Sequence, residues 1–521
     1  MPKQQTEHLV QLIKSLTSAE KRAFRGFVNR NNPTDDLLFL QLFDLLDKKK
    51  IYDEGLVFKK IPGIKKQQLS NVKAHLYKQL LLSLRLIHRN HNLDIELRER
   101  LDYARVLYNK GLYRQSLDML SKAKTKALES HQYSLALEVI EFEKLIESQY
   151  ITRSRDDKTE ELTQSSVRVS KMISRSHLFS NLALQLYGLY IKVGYVRNQK
   201  EFLFVREFFQ SNLPTHDLQT LSFYEKLYLF QSYCWYHFMT QDFLLYYKYS
   251  LRWVQLFEGE ERMILLERPL YLKALHNLLN ALFLLWQHDK FIVVLNKLEA
   301  FAKQHKNKLG QNEAGLLHLY LYINRINKHY IEGTSSDGLQ LVEPLEKLIQ
   351  QETYNWDRHR VMVFYYKIAC LYFSSGDNAN AIHYLNLIIN EGYADIREDI
   401  QCFARILCLI AHFELGNESL VEYQVKSVYR FLRKREDLHR VQQEILKFVR
   451  RIPSMTPHSL KTEFKGLRNS LNKIKKDPFE KRPFLYLDIV SWLDSKLRGI
   501  TVAEVLKEKF EKGETPLGEG F

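Results

Sequence analysis

The sequence predicts an all-α protein built as an α-solenoid, a stack of helical hairpins capped by an N-terminal helical module. Three observations lead there. The 521 residues hold only 19 Gly and 11 Pro, with no Asn-Gly dipeptide and no alternating runs of Val, Ile and Thr, so the signals of β-hairpins and sheets are missing. Leu, Lys, Glu, Gln and Arg dominate, the residues that lose little on entering a helix. In Leu101 to Ala123, LDYARVLYNKGLYRQSLDMLSKA, small and aromatic residues fall on both sides of a central glycine, where two short antiparallel helices would have to pack. At 45% apolar and 26% charged residues the chain can bury a core. It is also longer than the roughly 250–300 residues at which a single core stops growing, so several domains or an elongated array are both open.

Residues 1–95 read as a compact basic helical module. Thr17-Ser18-Ala19-Glu20 has the form of a capping box, in which hydroxyl and carboxylate each satisfy a free N–H at a helix start. The helix that follows has Ala23, Phe24, Phe27 and Val28 on one face, and Pro33 ends it or opens the next. Further helices are predicted from about Asp35 to Lys48 and from Gln67 to Arg89. Gly63 with Gln67, Gln68 and Asn71 is a loose match to a helix-turn-helix DNA reader; a structural cap is the favoured reading.

From residue 96 to about 435 the pattern becomes repetitive. In the first unit Ala104, Leu107, Gly111, Tyr113, Ser116 and Ala123 take the small, large and turn positions. Ala369, Tyr372, Gly376, Ala381 and Leu385 take them in YYKIACLYFSSGDNANAIHYLNLI, and Leu409, His412, Gly416 and Val421 in LIAHFELGNESLVEYQV. Small residues let two helices approach, large ones fill the adjoining holes, and glycine turns the chain between them. On these positions the chain resembles the tetratricopeptide repeat family. Degenerate units are expected at Tyr233–Trp253, turning at Asp242-Phe243, and at Leu278–Phe301, turning at Asp289 to Phe291. The turn markers Gln241, Asp289, Gly376 and Gly416 are 48, 87 and 40 residues apart, the 87 fitting two units. The mean, about 44, exceeds the 34 usual for that family. Residues 436–521 form a C-terminal helical segment outside the resemblance. LIKSLTSAEKRAFRGFV, LFDLLDKKKIYDE and FLYLDIVSWLDSKL are similar to uncharacterised repeat proteins of the Bacteroidota, which supplies no function.

The net charge of +16 sits in two places. Residues 1–100 carry +8 and residues 424–476 carry +11, while 101–423 are close to neutral at −1. In the first segment Lys48, Lys49, Lys50, Lys59, Lys60, Lys65 and Lys66 cluster. In the second, Lys426, Arg430, Arg433, Arg440, Lys447 and Arg451 recur at steps of three, four or seven, so a continuous helix would align them. Asp437 and Glu444 share that stripe, as on a solvated face of weak ion pairs. A surface that contacts phosphates of a nucleic acid or ribosome is the competing reading.

Signatures of chemistry are missing. Neither GxxxxGK[ST] nor GxGxxG occurs, and neither HExxH nor G-x-S-x-G. Cys234, Cys370, Cys402 and Cys408 have no CxxC spacing and read as buried thiols. His88 and His91 read as a basic helix end, and Asp156, Asp157, Glu160 and Glu161 as a solvated loop. No catalytic residue, metal site or cofactor is expected. The N-terminus lacks a secretory signal and no window of about 20 apolar residues spans a bilayer, so a cytoplasmic protein without membrane attachment is expected. The aromatic runs at Tyr246 to Trp253 and Phe364 to Phe373 are read as core rather than as base-stacking platforms. If the ligand-facing positions of the resembled family carry over, they fall on Arg105, Tyr108, Asn109, Phe373, Ser374, Phe413 and Glu414, without the Lys and Asn pairing by which some of its members clamp a terminal carboxylate. The sequence thus predicts a non-enzymatic scaffold or adaptor for a protein or peptide partner, with a nucleic-acid or ribosome-associated factor as the alternative.

Overall fold

The computed structural model describes residues 3–31, 37–48, 52–89, 92–149, 156–306, 308–390, 398–417, 424–426, 428–431, 440–451, 457–486 and 488–515. Among these residues the chain forms twenty-six α-helices and no strand, an all-α array of helical hairpins. It divides into two compact units, residues 1–174 and 175–521.

The first unit begins with α1 (Lys3–Ser15), α2 (Ser18–Asn31), α3 (Leu38–Lys48), α4 (Glu54–Lys60) and α5 (Leu69–His88), whose apolar faces meet in one core through Leu9, Ile13, Phe24, Val28, Phe43 and Leu76. The capping box starts α2 as read from the sequence. The Thr17 N–H donates to Glu20 Oε2 at 2.7 Å, and the Glu20 N–H donates to Thr17 Oγ1 at 3.2 Å.

A second core begins beyond residue 92. It is built by α6 (Leu93–Asn109), α7 (Tyr113–Glu129), α8 (Tyr133–Gln149) and the first part of α9 (Asp156–Val193). The sequence boundary at 95 therefore marks a change of core inside one compact unit. Gly111 turns α6 into α7 at φ +76°, and Ala104, Ser116 and Ala123 are fully buried where the two helices cross. Ser116 belongs there because its hydroxyl donates to the Ala104 carbonyl at 2.8 Å, which removes the cost of burying it. Glu160 and Glu161, expected in a loop, lie instead in the opening turns of α9. Leu162 and Val169 on the same helix are buried, and that apolar spacing holds the segment helical.

The second unit contains the rest of α9, then α10 (Gln199–Asn212), α11 (Phe223–Met239), α12 (Phe243–Glu258), α13 (Glu261–Leu266), α14 (Arg268–Leu284), α15 (His288–His305), α16 (Gln311–Glu332), α17 (Ser335–Gly338), α18 (Val342–Gln350), α19 (Arg358–Ser374), α20 (Asn378–Asn390) and α21 (Glu398–Glu414). Its hairpins turn at residues with positive φ: Gln241, Trp286, Gly333, Gly376 and Gly416. These lie 45, 47, 43 and 40 residues apart, so Gly333 supplies the unit missing from the 87-residue gap. The turn assigned to Asp289 falls at Trp286 instead, because His288 and Asp289 already open α15.

The unit closes with α22 (Arg440–Arg451), α23 (Pro457–Ile474), α24 (Lys481–Tyr486), α25 (Ile489–Arg498) and α26 (Val502–Glu511). These do not stand apart as a terminal segment. Phe484, Ile489, Trp492 and Leu493 belong to the same apolar core as α11 to α21. Helix α26 docks over Gly333, where an added Cβ would lie 2.4 Å from the Lys507 backbone nitrogen. Gly333→Ala should therefore both strain a backbone at φ +67° and push α26 away. The expected result is faster tryptic cleavage at Lys507 and Lys509 in the folded protein. Unchanged cleavage would show that α26 tolerates a side chain there.

Candidate functional site

In the second unit the first helices of successive hairpins, α14, α16, α19 and α21, pack side by side, and α11 comes near α14 where Trp235 lies 5.9 Å from Lys273. Side chains of these helices meet on a common face. The Lys367 ammonium on α19 comes within 5.5 Å of the Phe283 ring centroid on α14 although α16 lies between those helices. One edge of this face is closed by the last three helices. Arg482 of α24 stacks on Phe238 at 3.8 Å, Phe510 of α26 meets His288 at 4.7 Å, and Trp492 of α25 donates to Glu414 at 2.7 Å. Two of these contacts fall at the C-terminal end of an inner helix, and the third at the first residue of α15.

The middle of the inner face carries a polar cluster framed by rings. Tyr187 and Tyr190 of α9 pack on Trp235 of α11, both at 5.1 Å, and Lys273 of α14 lies 5.9 Å from that ring. Tyr246 OH lies 2.9 Å from Asn277 Oδ1 and accepts from Asn280 Nδ2 at 3.2 Å. His276 stacks on Tyr320 at 4.2 Å, and Asn324, fully buried, approaches its Nδ1 at 3.3 Å. Lys367 donates to Asn327 Oδ1 at 2.6 Å.

What sets this cluster apart is its electrostatics. Burial pushes the Lys367 ammonium down to about 8 and lowers Lys273 as well, Arg360 adding to the effect on Lys273. No carboxylate among the described residues forms an ion pair with either lysine. Burial, with help from the two lysines, holds His276 down to about 3, so its ring stays neutral. His237 of α11 is pushed down to about 4 for the same first reason.

Because the unfolded chain protonates these histidines near 6.5, the stability they carry is complete above that pH and is lost as pH falls from there toward the two folded values. The urea midpoint of the second unit, followed by tryptophan fluorescence, should drop between pH 7 and 5. His276→Asn should flatten that slope, and an equal slope in wild type and variant would refute the assignment. All five tryptophans, at 235, 253, 286, 356 and 492, lie in this unit, so the signal is specific to it.

The positions carried over from the resembled family are divided between the two units. Arg105, Tyr108 and Asn109 lie in the first unit, where Arg105 pairs with Glu138 at 2.6 Å and Tyr108 donates to Gln149. Phe373 and Ser374 are 6% and 3% exposed and offer no surface, because the end of α19 is packed into the core. Phe413 packs on Phe464 and Trp492, and Glu414 is taken by Trp492 and Lys496. The chain's own helix α25 occupies the face those two were expected to present.

Of the basic positions, Lys48, Lys59, Lys60, Lys65, Lys66, Lys426 and Arg430 are exposed. Lys49, Lys50 and Arg433 lie outside the described residues. Arg440 pairs with Asp477 at 3.3 Å, Lys447 with Glu444 at 2.7 Å and Arg451 with Glu463 at 3.2 Å. Those three sites have the paired character of a solvated face.

The inner-face residues left a faint sequence signal that family positions did not capture. Lys273, His276, Asn277 and Asn280 interrupt the apolar run LYLKALHNLLNALFLL at helical spacing, as Asn324 and Asn327 do in LYINRINK.

Among the described residues no cluster of three or more His, Cys, Asp or Glu could hold a metal ion, and no helix is long and apolar enough to cross a membrane. No protein-family model and no curated protein matches the chain. Among solved structures it is similar to the Rap conjugation gene regulator of the plasmid pLS20, solved in complex with the Phr* peptide. The two are 12% identical, the match covers 67% of this chain and 99% of that one, and the TM-score is 0.37. A likeness this distant assigns no ligand.

Proposed function

We propose that this chain is a non-enzymatic adaptor whose second unit receives a protein or peptide segment on its inner face. One observation carries the reading: a shared face on stacked helices that combines exposed or half-buried rings with a polar cluster. Tyr187 is 42% exposed beside Trp235, and the cluster from Lys273 to Lys367 continues the same face. Stacked repeats use such faces because each repeat adds contacts along an extended ligand. The exposed Tyr187 ring and the half-buried Trp235 ring suit the apolar side chains of an extended segment.

The test is site-specific photocrosslinking in cells. Benzoylphenylalanine at Tyr187, on the inner face, should capture a discrete partner, whereas the same group at Val293, 65% exposed on α15, should not. Equal capture at both positions, or capture at Val293 alone, would remove the inner face as the binding surface.

A further inference from the structure

Where α9 joins the inner face through Tyr187, it carries an exposed apolar row. Leu184, Tyr187 and Ile191 are 68%, 42% and 65% exposed and stand three and four residues apart, so they share one side of the helix. Gly188 lies among them, and a Cβ built there would meet nothing within 4 Å. The row therefore has open space at its centre. Single exposed apolar side chains need no explanation, but several gathered on one face mark a contact with another molecule. The charge around the row has one sign. No Asp or Glu occurs from residue 162 to residue 200, nor in 226–241 and 268–288, which hold most of α11 and the whole of α14. Glu225, the one acid on α11, is paired with Arg175 at 2.9 Å. Lys192 is exposed and stands four residues beyond Gly188, so the two are neighbours on the helix surface. It has no ion-pair partner among the described residues, and neither has Lys273, which lies 5.9 Å from the Trp235 ring that holds Tyr187.

We propose that this row receives an acidic segment of the partner, one large apolar side chain of which seats over Gly188 between Leu184, Tyr187 and Ile191 while a carboxylate beside it meets Lys192. The inference deepens the adaptor reading and rests on it. Charge decides among the occupants. A second copy of this chain, or a basic segment, would bring cations against the cations already there, and like charges across an interface suppress the wrong partner. An anionic membrane has the right sign. The row, however, is bordered by exposed Asn181 and Gln185 and ends in a single lysine, short of the basic, strongly amphipathic face that holds a helix at a lipid surface. The open space over Gly188 suits a protein side chain.

Isothermal titration of the full-length protein with three acetylated peptide amides tests the preference. Glu-Leu-Glu-Phe-Glu-Leu-Glu supplies acidic and apolar groups, Lys-Leu-Lys-Phe-Lys-Leu-Lys reverses the charge, and Glu-Ser-Glu-Ser-Glu-Ser-Glu removes the apolar groups. The first should bind at least about tenfold more tightly than either of the others. Gly188→Leu fills the open space from the protein's own side. Nothing stands near a Cβ at that position and leucine favours a helix over glycine, so circular dichroism should be unchanged while affinity for the first peptide falls at least about fivefold. Lys192→Glu should weaken that peptide at least about threefold, and Lys192→Arg should not.

Equal affinity for the lysine or the serine peptide, or an affinity that Gly188→Leu leaves unchanged, would overturn the site. So would sedimentation with phosphatidylserine vesicles in place of peptide binding, or a concentration-dependent dimer of the wild-type protein that Leu184→Glu dissolves. These readouts are independent of photocapture at Tyr187. Capture there with no preference for the acidic, apolar peptide refutes this inference alone, and selective peptide binding with no capture refutes the adaptor reading alone.

Discussion

Replacing Trp492 by alanine is expected to lower the stability of the second unit by about 3–5 kcal/mol, the cost of emptying a buried aromatic position. Trp492 is 1% exposed and packs against Phe413, Phe448 and Phe464 from three different helices. Its indole N–H also satisfies Glu414, a carboxylate that the truncation leaves with Lys496 alone. Urea unfolding followed by far-UV circular dichroism, together with the fluorescence of the remaining tryptophans, reads the change. A loss under 1 kcal/mol, or a loss of helix with no shift in the fluorescence midpoint, would mean that residues 481–511 are a detachable appendage. Trp492→Phe separates the two contributions: it restores most of the volume but not the hydrogen bond, and should recover more than half of the loss.

The same tryptophan shows where the sequence stops being readable. FLYLDIVSWLDSKL announces a helical segment, and Ile489, Trp492 and Leu493 announce an apolar face, yet nothing local says which helices that face covers. Its partners lie some 30 to 80 residues earlier in the chain. Family positions placed Phe413 and Glu414 on an open ligand face because the resembled repeats leave that face free, whereas here α25 fills it. The hairpin turns show a second limit. Gly111, Gly376 and Gly416 mark themselves, since glycine adopts positive φ at no steric cost, but Gln241 and Trp286 adopt it as ordinary L-residues. Those two turns carry no glycine to read, and the residue pattern puts the second at Asp289, three residues beyond Trp286. Gly333 was legible as a glycine, but the helix before it runs 22 residues and hides the hairpin period.

The inner-face lysines fall between these cases. Lys273 and Lys367 are visible as polar interruptions of apolar helices, but a single interruption is usually solvated, and only the stacking of α14, α16 and α19 brings the two onto one face. The distribution of net charge points the other way. The basic excess lies outside the neutral middle, where Arg440, Lys447 and Arg451 are paired, whereas the neutral middle contains two cations without an acid partner among the described residues. Net charge over a long segment averages away the local pairing on which a binding site depends.

The first unit holds the opposite arrangement, and it gives the second large effect. Lys124 of α7 and Glu143 of α8 are 8% and 1% exposed and meet at 2.6 Å in the crossing of those helices. Glu161 of α9 stands 3.7 Å from the same ammonium but is itself half exposed, so it cannot replace the inner carboxylate. Glu143→Ala leaves a buried ammonium without its counter-charge and is expected to cost about 3–5 kcal/mol, the range for breaking one partner of a buried pair. Lys124→Met/Glu143→Leu removes both charges at similar volume and should be nearly neutral or stabilising by comparison, because the desolvation that the pair had to overcome disappears with it. Since the first unit contains no tryptophan, circular dichroism should register the loss in Glu143→Ala while the tryptophan midpoint moves little. A double variant as unstable as the single one would mean that the pair is held for its geometry rather than for the balance of its charges.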